Sequence, residues 1–220
     1  MSGRTTSWRA VVVVGTVVLS AGCGSAGTPQ ASYVFKPDHS PVKVDTPQLR
    51  AEKAAAGIEN CPRSRPPSRA AVAGARTMPR ITLPCLGGGR SVDLAGLTGT
   101  PTVVNFWAQS CGPCRAESPI LQRVHEAARG RLRVIGVDWE DSQPGMAIAF
   151  ARQLGLTYPQ VADPEAATRK PLGIAGLPVS VFLDSSGRIV HANYGAVTSA
   201  GALTALVSRY LHVDVRMPGR

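Results

Sequence analysis

Two cysteines separated by two residues, directly after a long apolar run, constrain this chain more than any other feature. Residues 102–108 read Thr-Val-Val-Asn-Phe-Trp-Ala, a β-branched and aromatic stretch typical of a buried central strand. Cys111-Gly112-Pro113-Cys114 follows, and a helix is predicted from there to about residue 129, broken or kinked at Pro119. In this position the first cysteine opens a helix, which is the setting of a redox-active pair.

Strand and helix patterns alternate from residue 80 to the end of the chain. Strand-like runs at 80–83 and 91–94 flank Gly87-Gly88-Gly89, which predicts a hairpin. Further strands are predicted at 132–138, 178–183 and 188–191. One helix is predicted at 144–154. A second is predicted to begin at Pro164 with Asp163 as its N-cap, and a third to begin after the N-cap Thr198 and to end at Leu211. This order predicts an α/β fold, a mixed central sheet flanked by helices with an N-terminal hairpin extension.

The N-terminus has the pattern of an export signal. Arg4 and Arg9 precede the apolar run 10–19, which is too short to span a membrane. The stretch 19–23, Leu-Ser-Ala-Gly-Cys, resembles a bacterial lipobox, so we expect a signal peptide at 1–22 and a lipid on Cys23. An ordinary cleavable signal, giving a secreted protein, and a retained anchor remain alternatives. Each places the mature chain outside the cytoplasm, where disulfides persist.

Residues 23–79 are rich in Pro and small polar residues and predict a tether, with one short helix between Thr46 and Gly57. The folded domain is predicted at 80–214.

The net charge of +10 divides into +7 for residues 1–80 and +3 for 81–220. The basic excess therefore belongs to the N-terminal arm, and aromatic residues are 5 % of the chain. This pattern argues against nucleic-acid binding, which requires a basic stripe on the domain itself.

The segment 105–119, Asn-Phe-Trp-Ala-Gln-Ser-Cys-Gly-Pro-Cys-Arg-Ala-Glu-Ser-Pro, resembles the thioredoxin superfamily. Within it, the membrane-tethered TlpA/ResA-like thiol-disulfide oxidoreductases are the most similar group. The segment 173–184, Gly-Ile-Ala-Gly-Leu-Pro-Val-Ser-Val-Phe-Leu-Asp, resembles the cis-proline region of that group. The resemblance covers about residues 80–211 and implies a thioredoxin fold.

The resemblance assigns roles to residues of both segments. Cys111, at the helix N-terminus where negative charge is favoured, is the nucleophile, and Cys114 resolves the mixed disulfide. Glu117 is a proton acceptor near the cysteines, or otherwise a solvent-facing charge. Pro178 forms a cis peptide bond and presents backbone groups to substrate. Substrate contacts are expected from Trp107, Gly112, Pro113 and Leu177.

Three positions depart from the general thioredoxin pattern. Asn105 occupies the place of a buried aspartate, which transfers the role of candidate base to Glu117. Ser110 replaces an aromatic residue before the first cysteine. Leu177 stands before the proline where threonine or valine is more usual, and its side chain bears on the redox potential.

Cys61 and Cys85 remain as an even pair once Cys23 and the Cys-Gly-Pro-Cys pair have their roles. Their wide spacing favours a structural disulfide, while a second redox pair that relays electrons stays open. Zinc would require a second ligand pair at suitable spacing, and c-type haem a histidine where Arg115 stands. We therefore expect neither a metal nor a cofactor.

These observations predict an extracytoplasmic, lipid-anchored thiol-disulfide oxidoreductase. By analogy with the family it reduces disulfides in exported clients such as apocytochrome c, with electrons from an integral-membrane partner. The opposite direction, forming disulfides in secreted proteins, and a redox-inactive binding module are the alternatives.

Overall fold

A computed structural model describes residues 41–65 and 75–217 of the chain. The predicted signal peptide 1–22, Cys23 and two parts of the predicted tether, 24–40 and 66–74, lie outside the described residues.

The described part contains five α-helices, one short 3-10 helix at Leu94–Gly96 and seven strands. The helices are α1 Pro47–Ala55, α2 Gly112–Ala128, α3 Pro144–Gln153, α4 Arg169–Leu172 and α5 Ala200–Leu211. The strands are β1 Thr82–Leu83, β2 Val92–Asp93, β3 Thr102–Trp107, β4 Arg133–Trp139, β5 Gln160–Asp163, β6 Val179–Leu183 and β7 Ile189–Tyr194.

The central sheet has the strand order β5-β4-β3-β6-β7. β3 and β5 each pair with β4 in parallel, while β6 pairs antiparallel with both β3 and β7. β1 and β2 form a separate antiparallel hairpin. The α/β class, the mixed sheet and the N-terminal hairpin are as the sequence predicts.

Alternation along the strands divides the apolar core between the two faces of the sheet. On β3, Val103 and Trp107 face a cluster built largely from α2, α3 and α5. Val104 and Phe106 face a second cluster that includes the hairpin and the residues around α4. Both faces of the sheet are therefore covered. This explains why every residue of β3 is buried and why all of them except Thr102 and Asn105 are apolar.

The segment 41–65 differs from the expected tether because it packs against the domain. α1 begins at the predicted Pro47 and is capped by the Thr46 hydroxyl, which accepts from the Leu49 amide at 3.2 Å. Val44, Leu49 and Ile58 are buried in the α2–α3–α5 cluster. These widely spaced apolar residues bury one face of the segment, so the folded part of the chain extends N-terminal of residue 80.

Three local predictions need correction, and one strand was missed. No helix begins at Pro164: Asp163 ends β5, and its carboxylate accepts from the Ala167 and Thr168 amides. β5 was not predicted, being only four residues long. α5 is capped by Ser199 rather than Thr198. α2 continues through Pro119 without a break.

Candidate functional site

The Cys-Gly-Pro-Cys segment forms the first turn of α2. Cys111 is the N-cap residue, and its Sγ accepts from the Cys114 amide at 3.2 Å. The two cysteines are joined in a disulfide with an S–S distance of 2.03 Å. A thiolate at Cys111 would face the unpaired amides and the positive end of the helix dipole, which stabilise negative charge.

The two cysteines differ in exposure. Cys111 is partly exposed and Gly112 and Pro113 are exposed, whereas Cys114 is 1 % exposed. An incoming thiol or disulfide therefore reaches Cys111 first. Cys114 is placed to act only from within the protein.

The Leu177-Pro178 segment lies at the same end of the sheet as the disulfide. β3 runs towards the cysteines and ends at Trp107, while the antiparallel β6 starts at Val179, opposite Phe106. The Leu177–Pro178 bond is cis, as the resemblance implies. Pro178 is buried and Leu177 partly exposed, so Leu177 is the more accessible of the two to a substrate.

Glu117 is buried beneath this end of the sheet, one turn along α2 from Cys114. It is 1 % exposed, which excludes the solvent-facing alternative. Its Oε1 accepts from the Val197 amide at 2.9 Å and its Oε2 from Asn105 Nδ2 at 3.0 Å. Burial raises the pKa of Glu117, and these two hydrogen bonds oppose the shift.

Ser180 and the Val197 amide belong to this arrangement and were missed from the sequence. Ser180 Oγ lies 3.0 Å from Asn105 Nδ2, across the β3–β6 ladder. Val197 is separated from Glu117 by 80 positions and contributes only its backbone. The one available signal was the position of Ser180, two residues after Pro178 and on the same face as Asn105 in an antiparallel pairing.

Trp107 is not a substrate contact in this structure, contrary to the expectation, because it is fully buried. Its Nε1 donates to Gln160 Oε1 at 3.0 Å, and its ring stacks on Phe150 with 4.7 Å between centroids. Gly136 lies beneath this hydrogen bond, and a Cβ there would approach Gln160 Oε1 to 1.9 Å. Trp107 therefore supports the site from the core.

Arg115 lies at the exposed edge of the active-site helix. Its guanidinium is 4.7 Å from the centre of the Phe150 ring and donates to Gln153 Oε1 at 3.1 Å. These contacts join the first turn of α2 to α3. A positive charge is thereby fixed one residue after Cys114.

The second disulfide joins Cys61 to Cys85, with an S–S distance of 2.01 Å, and links the N-terminal segment to the hairpin. Cys61 is 7 % and Cys85 1 % exposed. Lys53 Nζ lies 3.0 Å from Cys85 Sγ and donates to the Gly88 carbonyl at 2.9 Å. Burial lowers the pKa of Lys53, while Asp45 acts in the opposite direction.

Within residues 41–65 and 75–217, no group of three or more His, Cys, Asp or Glu side chains is arranged to hold a metal ion. In the same part of the chain, no helix has both the length and the apolar character needed to cross a bilayer.

Solved structures with the same architecture define the class of fold. A secreted thiol-disulfide isomerase from Corynebacterium glutamicum is 27 % identical, with a TM-score of 0.53 over 61 % of this chain and 83 % of that one. With the mixed sheet and the cysteine pair at the start of α2, this similarity identifies a thioredoxin fold.

Residues 73–206 match the redoxin family profile, and the chain belongs to that family. The thiol:disulfide interchange protein HelX of Rhodobacter capsulatus is 35 % identical over 101 residues, 46 % of this chain and 55 % of HelX. CycY of Rhizobium leguminosarum bv. viciae, also named a thiol:disulfide interchange protein, is 33 % identical over 129 residues, 58 % of this chain and 64 % of CycY. The chain thus spans between about half and two thirds of these curated relatives.

Proposed function

We propose that this chain is an extracytoplasmic thiol-disulfide oxidoreductase that exchanges electrons through Cys111 and Cys114. The observation that carries the proposal is the asymmetric pair at the start of α2, with a partly exposed Cys111 and a buried Cys114. The names of the relatives support thiol-disulfide interchange as the reaction class.

In the first step, the Cys111 thiolate of the reduced protein attacks one sulfur of a client disulfide. The client S–S bond breaks, a Cys111–client bond forms, and the other client sulfur leaves as a thiolate that takes up a proton. The helix N-terminus favours this step because it stabilises the Cys111 thiolate. Gly112, Pro113 and Leu177 are the proposed contacts for the client chain.

In the second step, Cys114 attacks the Cys111 sulfur and releases the second client thiolate. Cys114 must first lose its proton, and we assign Glu117 as the acceptor because it is buried one turn away on the same helix. Two electrons have then passed to the client, and Cys111–Cys114 is again a disulfide.

We assign the direction as reduction of client disulfides. Cys-Gly-Pro-Cys resembles the reducing thioredoxins, whose potential is about −270 mV. By family analogy, the clients are exported proteins such as apocytochrome c, and an integral-membrane partner restores the dithiol. A potential near −270 mV in glutathione or dithiothreitol buffers supports this direction, whereas a value near −120 mV, that of a strong oxidant, contradicts it.

Trapping of the mixed disulfide tests the exchange mechanism. Cys114→Ser should accumulate a Cys111–client adduct, because the resolving sulfur is missing. The measurement is acid quenching, alkylation and peptide mass spectrometry, with Cys61→Ala/Cys85→Ala as the control that turns over without accumulating an adduct. An adduct on Cys61 or Cys85, or none on Cys111, contradicts the assignment.

Lipid attachment at Cys23 after removal of residues 1–22 is part of the proposal, with residues 24–40 as the tether to the extracytoplasmic membrane face. The support is the sequence pattern alone. Cys23→Ala should move the protein from the membrane fraction to the soluble fraction, as followed by fractionation and by mass spectrometry of the N-terminus. An unmodified N-terminus at another residue contradicts it.

A further inference from the structure

Asn105 stands at the centre of a buried hydrogen-bonded group that joins three elements. Its Nδ2 atom lies 3.0 Å from Glu117 Oε2 on α2 and 3.0 Å from Ser180 Oγ on β6. The side chains of Asn105, Glu117 and Ser180 are each 1 % exposed. Each bond therefore forms away from competing water.

The geometry requires a hydrogen-bond donor at position 105. A carboxylate such as Glu117 accepts hydrogen bonds and donates none, so the group facing it must be a donor. The two hydrogens of one NH2 group serve both Glu117 and Ser180. Asn105 Oδ1 has no partner among the described residues, an unfavourable state for a buried acceptor.

We infer that Asn105 is a positioning residue that holds the Glu117 carboxylate for proton transfer with Cys114. This inference rests on the proposed function. This role explains why β3 carries an amide at position 105. The carboxyl group is supplied by Glu117 on α2, and a second carboxyl on β3 would bring two acceptors together.

The surroundings of Glu117 make its protonation sensitive to Asn105. Burial disfavours the ionised form of Glu117. The hydrogen bonds from the Val197 amide and from Asn105 Nδ2 favour that form. Among the described titratable groups, Tyr158 from the segment before β5 interacts electrostatically with Glu117, and Cys114 lies one turn away on the same helix. Burial raises the pKa of the Tyr158 hydroxyl, which stays protonated at neutral pH. Loss of the amide donor should therefore raise the pKa of Glu117.

Two measurements on full-length variants test the inference. The first is the pH profile of client reduction between pH 5 and 9, and the second is the 13C titration of the Glu117 carboxyl in the oxidised protein. Asn105→Asp is nearly isosteric and places a carboxyl about 3 Å from Glu117, so that the two groups compete for ionisation. We expect the acid limb and the 13C midpoint to move to higher pH by at least one unit, with activity at pH 7 falling at least tenfold.

The double variant Asn105→Asp/Glu117→Gln moves the carboxyl from the helix to the strand and puts an amide on the helix. We expect it to exceed both single variants in activity at pH 7, because a carboxyl and a donor again face each other. Thr102→Val is the matched control: Thr102 is a buried polar residue on the same strand, bonded to the Thr100 carbonyl. It should lower the melting temperature and leave the pH profile unchanged.

The outcomes separate the inference from the proposed function. If Glu117→Gln retains the wild-type profile, the proposed role of Glu117 fails, and the inference fails with it. If Glu117→Gln abolishes the acid limb but Asn105→Asp keeps both the wild-type profile and the 13C midpoint, the inference alone is overturned. The 13C midpoint needs only folded protein, so the result is decisive even for a variant with reduced activity.

Discussion

The described part of the chain contains two disulfides, one near the surface and one in the interior. Cys111–Cys114 links residues three apart at the start of a helix, and Cys111 is partly exposed. Cys61–Cys85 links residues 24 apart and is buried at both ends. Accessibility and a helix N-terminus favour exchange, whereas burial and a long intervening loop favour stabilisation. Position in the fold, rather than the presence of a disulfide, supports the proposal that the first pair carries out exchange.

The cations near the two disulfides sharpen this comparison. Arg115 is held at the surface by Phe150 and Gln153, one residue after Cys114. Lys53 is 5 % exposed and touches Cys85 Sγ in the interior. A surface cation is accessible to an approaching client, while a buried one acts only on groups already in contact with it.

The largest expected effect is that of Cys111→Ser on exchange. Removal of the attacking sulfur should lower the rate of client reduction by about a thousandfold or more, to the uncatalysed background. Initial rates with a fluorescent disulfide-containing peptide provide the measurement. Cys61→Ala/Cys85→Ala, corrected for the folded fraction, should stay within about twofold of wild type. A thousandfold loss of rate in Cys61→Ala/Cys85→Ala would instead indicate that the buried pair relays electrons.

The next effect is on stability. Cys61→Ala/Cys85→Ala should lower the free energy of unfolding by about 3–4 kcal/mol, since the cross-link no longer restricts the unfolded chain. At this chain length the melting temperature should fall by about 10 °C. Calorimetry of Cys111→Ala/Cys114→Ala supplies the control. The Cys111–Cys114 disulfide closes a much shorter loop, so its removal should lower the free energy of unfolding by less. Equal losses would remove the distinction between the pairs.

The smallest expected effect is that of Lys53→Met on alkaline stability. Burial lowers the pKa of Lys53 in the folded state, so the unfolded chain binds more protons there, and stability should rise with pH up to the unfolded lysine pKa of about 10.4. Lys53→Met should flatten that rise in urea unfolding measured between pH 8 and 10. Lys43→Met is the control for loss of a lysine near the same segment. An unchanged slope in Lys53→Met would show that burial does not perturb this lysine.

The sequence predicted the parts of the fold whose signals are local. The strand 102–107, the helix that opens at Cys111 and the Pro47 helix start each depend on neighbouring residues. The docking of residues 41–65 was not predicted, because a few apolar side chains among Pro and polar residues do not specify what they pack against. Likewise, the partners of Glu117 come from β3 and from the segment before α5, which only the tertiary fold brings together.

The reduction order of the two disulfides tests the central claim most directly. The protein is equilibrated in glutathione and then dithiothreitol buffers of decreasing potential, alkylated with isotopically distinct reagents and mapped by mass spectrometry. We predict that Cys111 and Cys114 become labelled together near about −270 mV, while Cys61 and Cys85 remain joined until below about −300 mV. Labelling of Cys61 and Cys85 at the same potential, or earlier, would contradict the division into an exchanging and a structural disulfide.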